Sequence, residues 1–190
     1  MPRIIGQDGS VAKVTKEGRL DTQASTYEEE HASAILGDAY TLDIDGVTVG
    51  ADGNWLAVIK NTDARDMVVT SFTLQPNEAK DDEEIEVYLG GTFVYLAEGS
   101  PIVPANIKSG VSGGAEGEFY VTDGTADTMT TITGGSIAGR YHMSSTTLYK
   151  IEKSTGWIVP KNQCFMLQAS KDNKFFGSIS FYYHGSCITN

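Results

Sequence analysis

Gly156-Trp157-Ile158-Val159-Pro160-Lys161-Asn162-Gln163-Cys164-Phe165-Met166-Leu167-Gln168-Ala169, continued by Phe175-Phe176-Gly177-Ser178-Ile179-Ser180-Phe181-Tyr182-Tyr183-His184, reads as three closing strands of an all-β domain. From Phe175 the residues alternate. Phe175, Ile179, Phe181 and Tyr183 fall on one side, Ser178, Ser180 and Tyr182 on the other. Such alternation places one face of a strand on a core. Cys164 to Ala169 is apolar on both sides, the pattern of a strand covered on both faces. Pro160-Lys161-Asn162 supplies the turn between two of these strands.

The same grammar extends back to Tyr40. Tyr40, Leu42 and Ile44 alternate with Thr41 and Asp43, and Asp45-Gly46 and Asp52-Gly53 are turn signals. Trp55 to Ile59 is a continuous apolar run, hence a central strand. Met67 to Gln75 alternates, with Val68, Phe72 and Leu74 assigned to one face. Ile85, Val87 and Leu89 alternate next, and Gly90-Gly91 predicts a hairpin into Thr92–Leu96. Pro101 and Pro104 confine their segment to an edge. Short strands follow at Glu118–Val121, Thr128–Thr133, Ser136–Tyr141 and Thr146–Ile151. Strands at this spacing, without an internal repeat, predict a jelly-roll-like β-sandwich body over residues 39–190.

Residues 1–38 differ. They hold thin polar pieces, then a capping box in Ser25 with Glu28 or Thr26 with Glu29, which predicts a short helix from about Tyr27 to Leu36 stopping at Gly37. Such a segment cannot bury a core and is read as an extended N-terminal arm. The chain of 190 residues carries a net charge of −11. Residues 1–20 hold Arg3, Lys13, Lys16 and Arg19 against two acidic residues, a net +2, which leaves −13 for the rest. An acidic body repels nucleic acid, and a basic arm can dock on an acidic surface. No apolar run is long enough for a membrane helix.

Chemistry-bearing motifs are sparse. Gly110-Val111-Ser112-Gly113-Gly114 matches a nucleophile elbow in letters, but that device needs a strand before it and a helix after it, and here a strand follows. His31, His142 and His184 lack ligand spacing, and the two cysteines, Cys164 and Cys187, lie far from any metal pattern. Asp81-Asp82-Glu83-Glu84 lacks the spacing of a calcium loop and reads as a solvated loop. The expectation is a non-enzymatic chain without cofactor or metal. Tyr88, Phe176 and Tyr182 fall on the less apolar faces of their strands and are assigned to an oligomer or partner surface.

Two regions carry a resemblance. One is Val11-Ala12-Lys13-Val14, Gly18-Arg19-Leu20, Glu28-Glu29-Glu30-His31-Ala32-Ser33 and Gly37-Asp38-Ala39-Tyr40, followed by Ala57-Val58-Ile59-Lys60-Asn61. The other is the closing stretch from Gly156 to Tyr183. Both resemble virion structural proteins of tailed bacteriophages, and residues 76–150 are unmatched. The resemblance implies a capsid decoration (cement) or other head protein, a homotrimer on the outer capsid surface. Its partners would be the major capsid protein and copies of itself, with no nucleic acid and no membrane, and it would be made in the host cytoplasm. Arg3, Lys13, Lys16, Arg19 and Leu20 of the arm would make the capsid contact. A receptor- or glycan-binding module of a tail or fibre is the other expectation, with its ligand at loops 109–140.

Overall fold

The computed structural model describes residues 13–14, 20–21, 33–34, 36–50, 55–94, 99–108, 110, 114–122 and 131–184. In chain order the strands are β1 (Lys13–Val14), β2 (Leu20–Asp21), β3 (Ala39–Val49), β4 (Trp55–Asn61), β5 (Met67–Pro76), β6 (Glu84–Leu89), β7 (Thr92–Val94), β8 (Gly99–Pro101), β9 (Ala105–Asn106), β10 (Gly117–Thr122), β11 (Thr131–Thr133), β12 (Ser136–His142), β13 (Tyr149–Val159), β14 (Cys164–Ala169) and β15 (Asn173–Tyr183).

Eight of these form four nested antiparallel pairs: β3 with β15, β4 with β14, β5 with β13, and β6 with β12. That is one long hairpin. Rolled up, it also brings β15 against β5 and β14 against β6. The result is two antiparallel sheets, ordered β13-β5-β15-β3-β9 and β12-β6-β14-β4-β10-β8. This is the jelly-roll arrangement the sequence pattern predicts.

The core lies between the sheets, built from the alternating residues. Phe175, Ile179, Phe181 and Tyr183 of β15 are all buried, opposite Leu56, Ile59, Phe165 and Leu167. Aromatic rings gather at two places. Phe181 stacks on Tyr40 and on Phe119, each with centroids 5.5 Å apart. Phe72, Trp157 and Phe165 pack together at 5.6–6.5 Å. Full burial of each such ring contributes about 1.5–3 kcal/mol.

Four local readings change. Asp45-Gly46 is not a turn. β3 runs straight through it, and the pair forms a bulge opposite Phe176, with Gly46 at φ +63°. Val68 does not share a face with Phe72 and Leu74. Ser71 pairs with Ser180 and Val69 with Phe181, so Thr70 is an extra residue and the alternation inverts there. Val69 enters the core and Val68 faces out. Gly90-Gly91 does not turn β6 back on itself. Both glycines have positive φ, and so do Gly134 and Gly135 opposite them. The β6–β12 ladder bends at this double-glycine neck and resumes as β7–β11. A Cβ on Gly91 would sit 2.6 Å from the carbonyl oxygen of Gly134, so the bend needs glycine. The excursion between β6 and β12 then lays β10 along β4, β8 along β10, and β9 along β3. Pro101 lies on β8 at the sheet edge, as its missing N–H requires.

The fourth change is in the acidic loop. Glu83 is fully buried. Its Oε2 accepts a hydrogen bond from Asn173 Nδ2 at 2.7 Å, and its Oε1 has no partner among the described residues. Burial raises its carboxyl above the ordinary value of 4.5. In the folded chain Glu83 therefore holds its proton to higher pH than in the unfolded chain. Stability falls as pH rises from the unfolded pKa through the folded one. Glu83→Gln removes that loss. The variant is expected to melt higher than the native chain at about pH 7.5, by roughly 2–4 °C per kcal/mol released. Near pH 4 the two should coincide. Calorimetry at the two pH values checks this, and an equal gain at both would assign the effect to packing.

Candidate functional site

The first group of interest ties the chain's leading segment to the body. Ser33, Ala34 and Leu36 are helical and the helix ends at Gly37, at φ +86°. Gly37 N–H donates to Ala34 O at 3.2 Å and Asp38 N–H to Ser33 O at 2.8 Å, a Schellman closure. The predicted stop at Gly37 is thus the observed one. The capping box and residues 22–32 lie outside the described residues. Ala34 packs on Ala39, Val68 and Tyr182, on the outer face of the five-stranded sheet.

Asp38 then meets Arg65. The guanidinium reaches Asp38 Oδ1 at 3.1 Å and Asp63 Oδ2 at 2.6 Å, and lies over the Tyr183 ring at 4.9 Å. Asn61, fully buried, organises the loop beneath it. Its Nδ2 donates to Arg65 O and Val159 O, and its Oδ1 accepts from Asp63 N–H. The hydrogen bonds from Arg65 hold the Asp63 carboxyl below its ordinary value, and those carboxylates in turn raise Arg65. The Tyr183 hydroxyl, raised by burial, donates to Glu116 O at 2.7 Å. Ala34 and Asp38 therefore bind to the body, although both fall inside the segment read as arm.

The second group is a groove of about 900 Å3 on the outer face of the same sheet. Thr70, Ser71 and Thr73 of β5 and Ser178 and Ser180 of β15 form its floor. One wall comes from an irregularity in β13. Glu152 pairs with Ser71 and Trp157 with Val69, so Lys153-Ser154-Thr155-Gly156 stands opposite the single residue Thr70. Gly156 has φ +64°, and a Cβ there would lie 2.4 Å from Val68 Cγ1. The insertion is pinned at that glycine and returns Trp157 to the core. Lys150 and Glu152 pair at 2.5 Å on the rim.

The third group is on the opposite sheet. Val58, Cys164 and Met166 are buried on its outer side, under Trp55, Tyr88 and Tyr120. Trp55 and Tyr88 meet edge to face at 5.1 Å. The Tyr88 hydroxyl donates to Glu86 at 2.6 Å, and Arg140 Nε donates to the other Glu86 oxygen at 2.8 Å. Burial and then Glu86 push the Tyr88 hydroxyl up to about 12.

The three aromatics assigned to one partner surface do not form one. Tyr88 is on the six-stranded sheet; Phe176 and Tyr182 are on the five-stranded sheet, across the sandwich. Tyr182 is only 7% exposed, because the helical turn covers it. Phe176 lies under Lys174, whose Nζ is 5.3 Å from the ring centre. Of the arm residues, Lys13 and Leu20 belong to the β1–β2 pair, where Lys13 is in register with Asp21 and Leu20 with Val14. Arg3, Lys16 and Arg19 lie outside the described residues, as do Ser112, His31 and Cys187. His142 and His184 are exposed at strand ends, and Cys164 is buried in β14. Among the described residues no group of three His, Cys, Asp or Glu is placed to hold a metal, and no helix is long and apolar enough to cross a membrane.

Sequence reasoning missed the groove. Its signals were the hydroxyl alternation on two strands and the polar break Lys153–Thr155 in an otherwise strand-like run. Fold and surface together define an all-β jelly-roll sandwich. Comparison with protein-family models, with curated proteins and with solved structures found no match.

Arg65→Ala should destabilise the body by about 2 kcal/mol at neutral pH, because Asp63 is left nearly buried without its partner. A depressed folded pKa gives stability that is present above the unfolded value of 3.8 and lost as pH falls through the folded one. Urea unfolding should therefore show the gap between native chain and variant narrowing below about pH 4. Arg65→Lys keeps the charge without the two-pronged geometry and should fall between them.

Proposed function

We propose that this chain is a non-enzymatic structural protein of a tailed-bacteriophage particle. It would be a decoration protein whose body sits on the outer capsid surface and whose N-terminal arm reaches neighbouring subunits. One observation supports this most directly. The last turn of the arm is fixed to the outer face of a sheet by a Schellman closure, by Ala34 on Val68 and Tyr182, and by the Asp38–Arg65 pair. Whatever precedes residue 33 starts from a set place and direction, as a tether between copies requires. The charge division agrees: a net +2 in residues 1–20 against a strongly acidic body suits docking on an acidic neighbour. Weak contacts repeated over a symmetric shell, including a trimer of this chain, would then add by avidity. The receptor- or glycan-binding reading draws on a different observation, the hydroxyl-floored groove.

Deletion of residues 1–32 tests the proposal while leaving Ser33, Asp38 and Arg65 in place. The shortened chain is expected to fold with an unchanged far-ultraviolet spectrum and to lose capsid binding by about a hundredfold or more in co-sedimentation. Retained binding would overturn the tether. Gold-labelled antibody on purified particles should mark heads. Label on tails alone would favour the receptor reading, and no label would end both.

A further inference from the structure

We infer that the groove between the β13 insertion and the β5–β15 floor is a binding site for a neutral, polyhydroxylated ligand, an oligosaccharide chain. The inference stands on the groove alone and holds whether the body decorates a head or a tail.

A flat strand face bearing serine and threonine is ordinarily just wetted surface. Three features set this face apart. The first is the wall. Four residues of β13 stand opposite one of β5, and the insertion is locked by a left-handed glycine with no room for a side chain. It turns a plane into a trough of about 900 Å3, within the range of sites for small ligands.

The second feature is the floor. It carries hydroxyls and no ionised group. Thr70 Oγ1 donates to Ser180 O at 3.3 Å, and the hydroxyls of Thr73 and Ser178 lie 3.0 Å apart. Between them, Ser71 and Ser180 face each other across the two strands. Both are half-buried, and neither side-chain hydroxyl has a partner among the described residues. Each can donate once and accept twice. A pair of half-desolvated hydroxyls with open capacity of both signs matches a ligand that also donates and accepts at each position. Sugar hydroxyls do so. A phosphate offers only acceptors, and no cation points up from the floor to meet one.

The third feature is the grading along the trough. At one end the trough runs up to Val68 and Tyr182, both nearly buried under the helical turn, and the exposed apolar surface there is Ile158, paired to Val68 and 55% exposed. At the rim Lys150 pairs with Glu152, and Lys153 lies over the Trp157 ring with its Nζ 5.7 Å from the ring centre, so the rim carries one net positive charge. An apolar end, a hydroxyl floor and a rim with a single net positive charge, set back from the floor, fit a pyranose chain, which alternates C–H patches with hydroxyl edges. They do not fit a strongly charged partner.

The test uses the full chain on a microbial glycan array, followed by amide-detected titration with the array's best neutral ligand. Binding is expected, with shifts centred on Ser71, Thr73, Ser178 and Ser180. Ser71→Ala/Ser180→Ala removes two hydroxyls that make no hydrogen bond among the described residues and should weaken binding at least about tenfold. Arg140→Ala, on the opposite sheet, should leave it unchanged. Should the double variant lose its fold, either single substitution serves, with an expected loss of about threefold or more. Silence across the array would overturn the site, and so would binding that survives the double substitution. A peptide of residues 1–32 is titrated in parallel. If it shifts the floor amides and no glycan does, the trough seats a neighbouring copy's arm and the oligosaccharide assignment falls.

Discussion

The sandwich depends on the close approach of β15 to β5. At Gly177 the two backbones are so near that a Cβ would lie 1.9 Å from Thr73 O. Only glycine permits this contact, and it sits midway along the ladder that joins β15 to β5 on one side and β3 on the other. β15 is also the strand whose inward residues meet both aromatic groups of the core. Phe181 stacks between Tyr40 and Phe119, and Phe175 and Ile179 continue the same face. With the central strand so placed, the outer pairs β4–β14 and β6–β12 have only one way to fold over it.

The sheets manage their edges by different means. The excursion between β6 and β12 covers one side, with β9 on β3, β10 on β4 and β8 on β10. On the other side β12 and β13 end the sheets, and both are irregular. β12 is bulged between Ile137 and Gly139, and β13 carries its four-residue insertion. Bulges make an edge a poor template for a stray strand. In β13 the same irregularity raises the groove wall, so edge protection and the candidate site share one piece of backbone.

Much of this was legible in the sequence, for physical reasons. Alternation at Tyr40–Ile44 and Phe175–Tyr183 shows which residues face the core, because one face of each strand is buried and the other wet. Pro101 could only sit at an edge, and Gly37 could only end a helix. What failed to show was anything set by a bulge. One extra residue at Thr70 inverts the alternation, so Val68 read as core and lies outside. Asp45-Gly46 carries turn chemistry, yet the same left-handed glycine serves a bulge within a straight strand. Glu83 looked solvated beside Asp81 and Asp82, and only tertiary packing against Asn173 buries it. The groove was invisible because its floor comes from strands far apart in sequence.

The nesting of the pairs has a consequence for biosynthesis. On its long ladder Tyr40 pairs with Phe181 and Ala39 with Tyr182, while short β9 touches only the start of β3 on the other side. The strand that begins the body cannot be completed until β15 has left the ribosome. Until then β3 and β5 each lack the neighbour that will lie between them. The half-made chain carries long, apolar, unpaired strands, the species most prone to wrong pairing. Contacts of such sequence separation also form slowly. A chain broken off before β15 can pair the six-stranded sheet, but it leaves β3 and β5 of the other sheet unjoined and the apolar face between the sheets uncovered. The cell that makes this protein must therefore shelter β3, β5 and the apolar face of the six-stranded sheet until β15 emerges to close the sandwich.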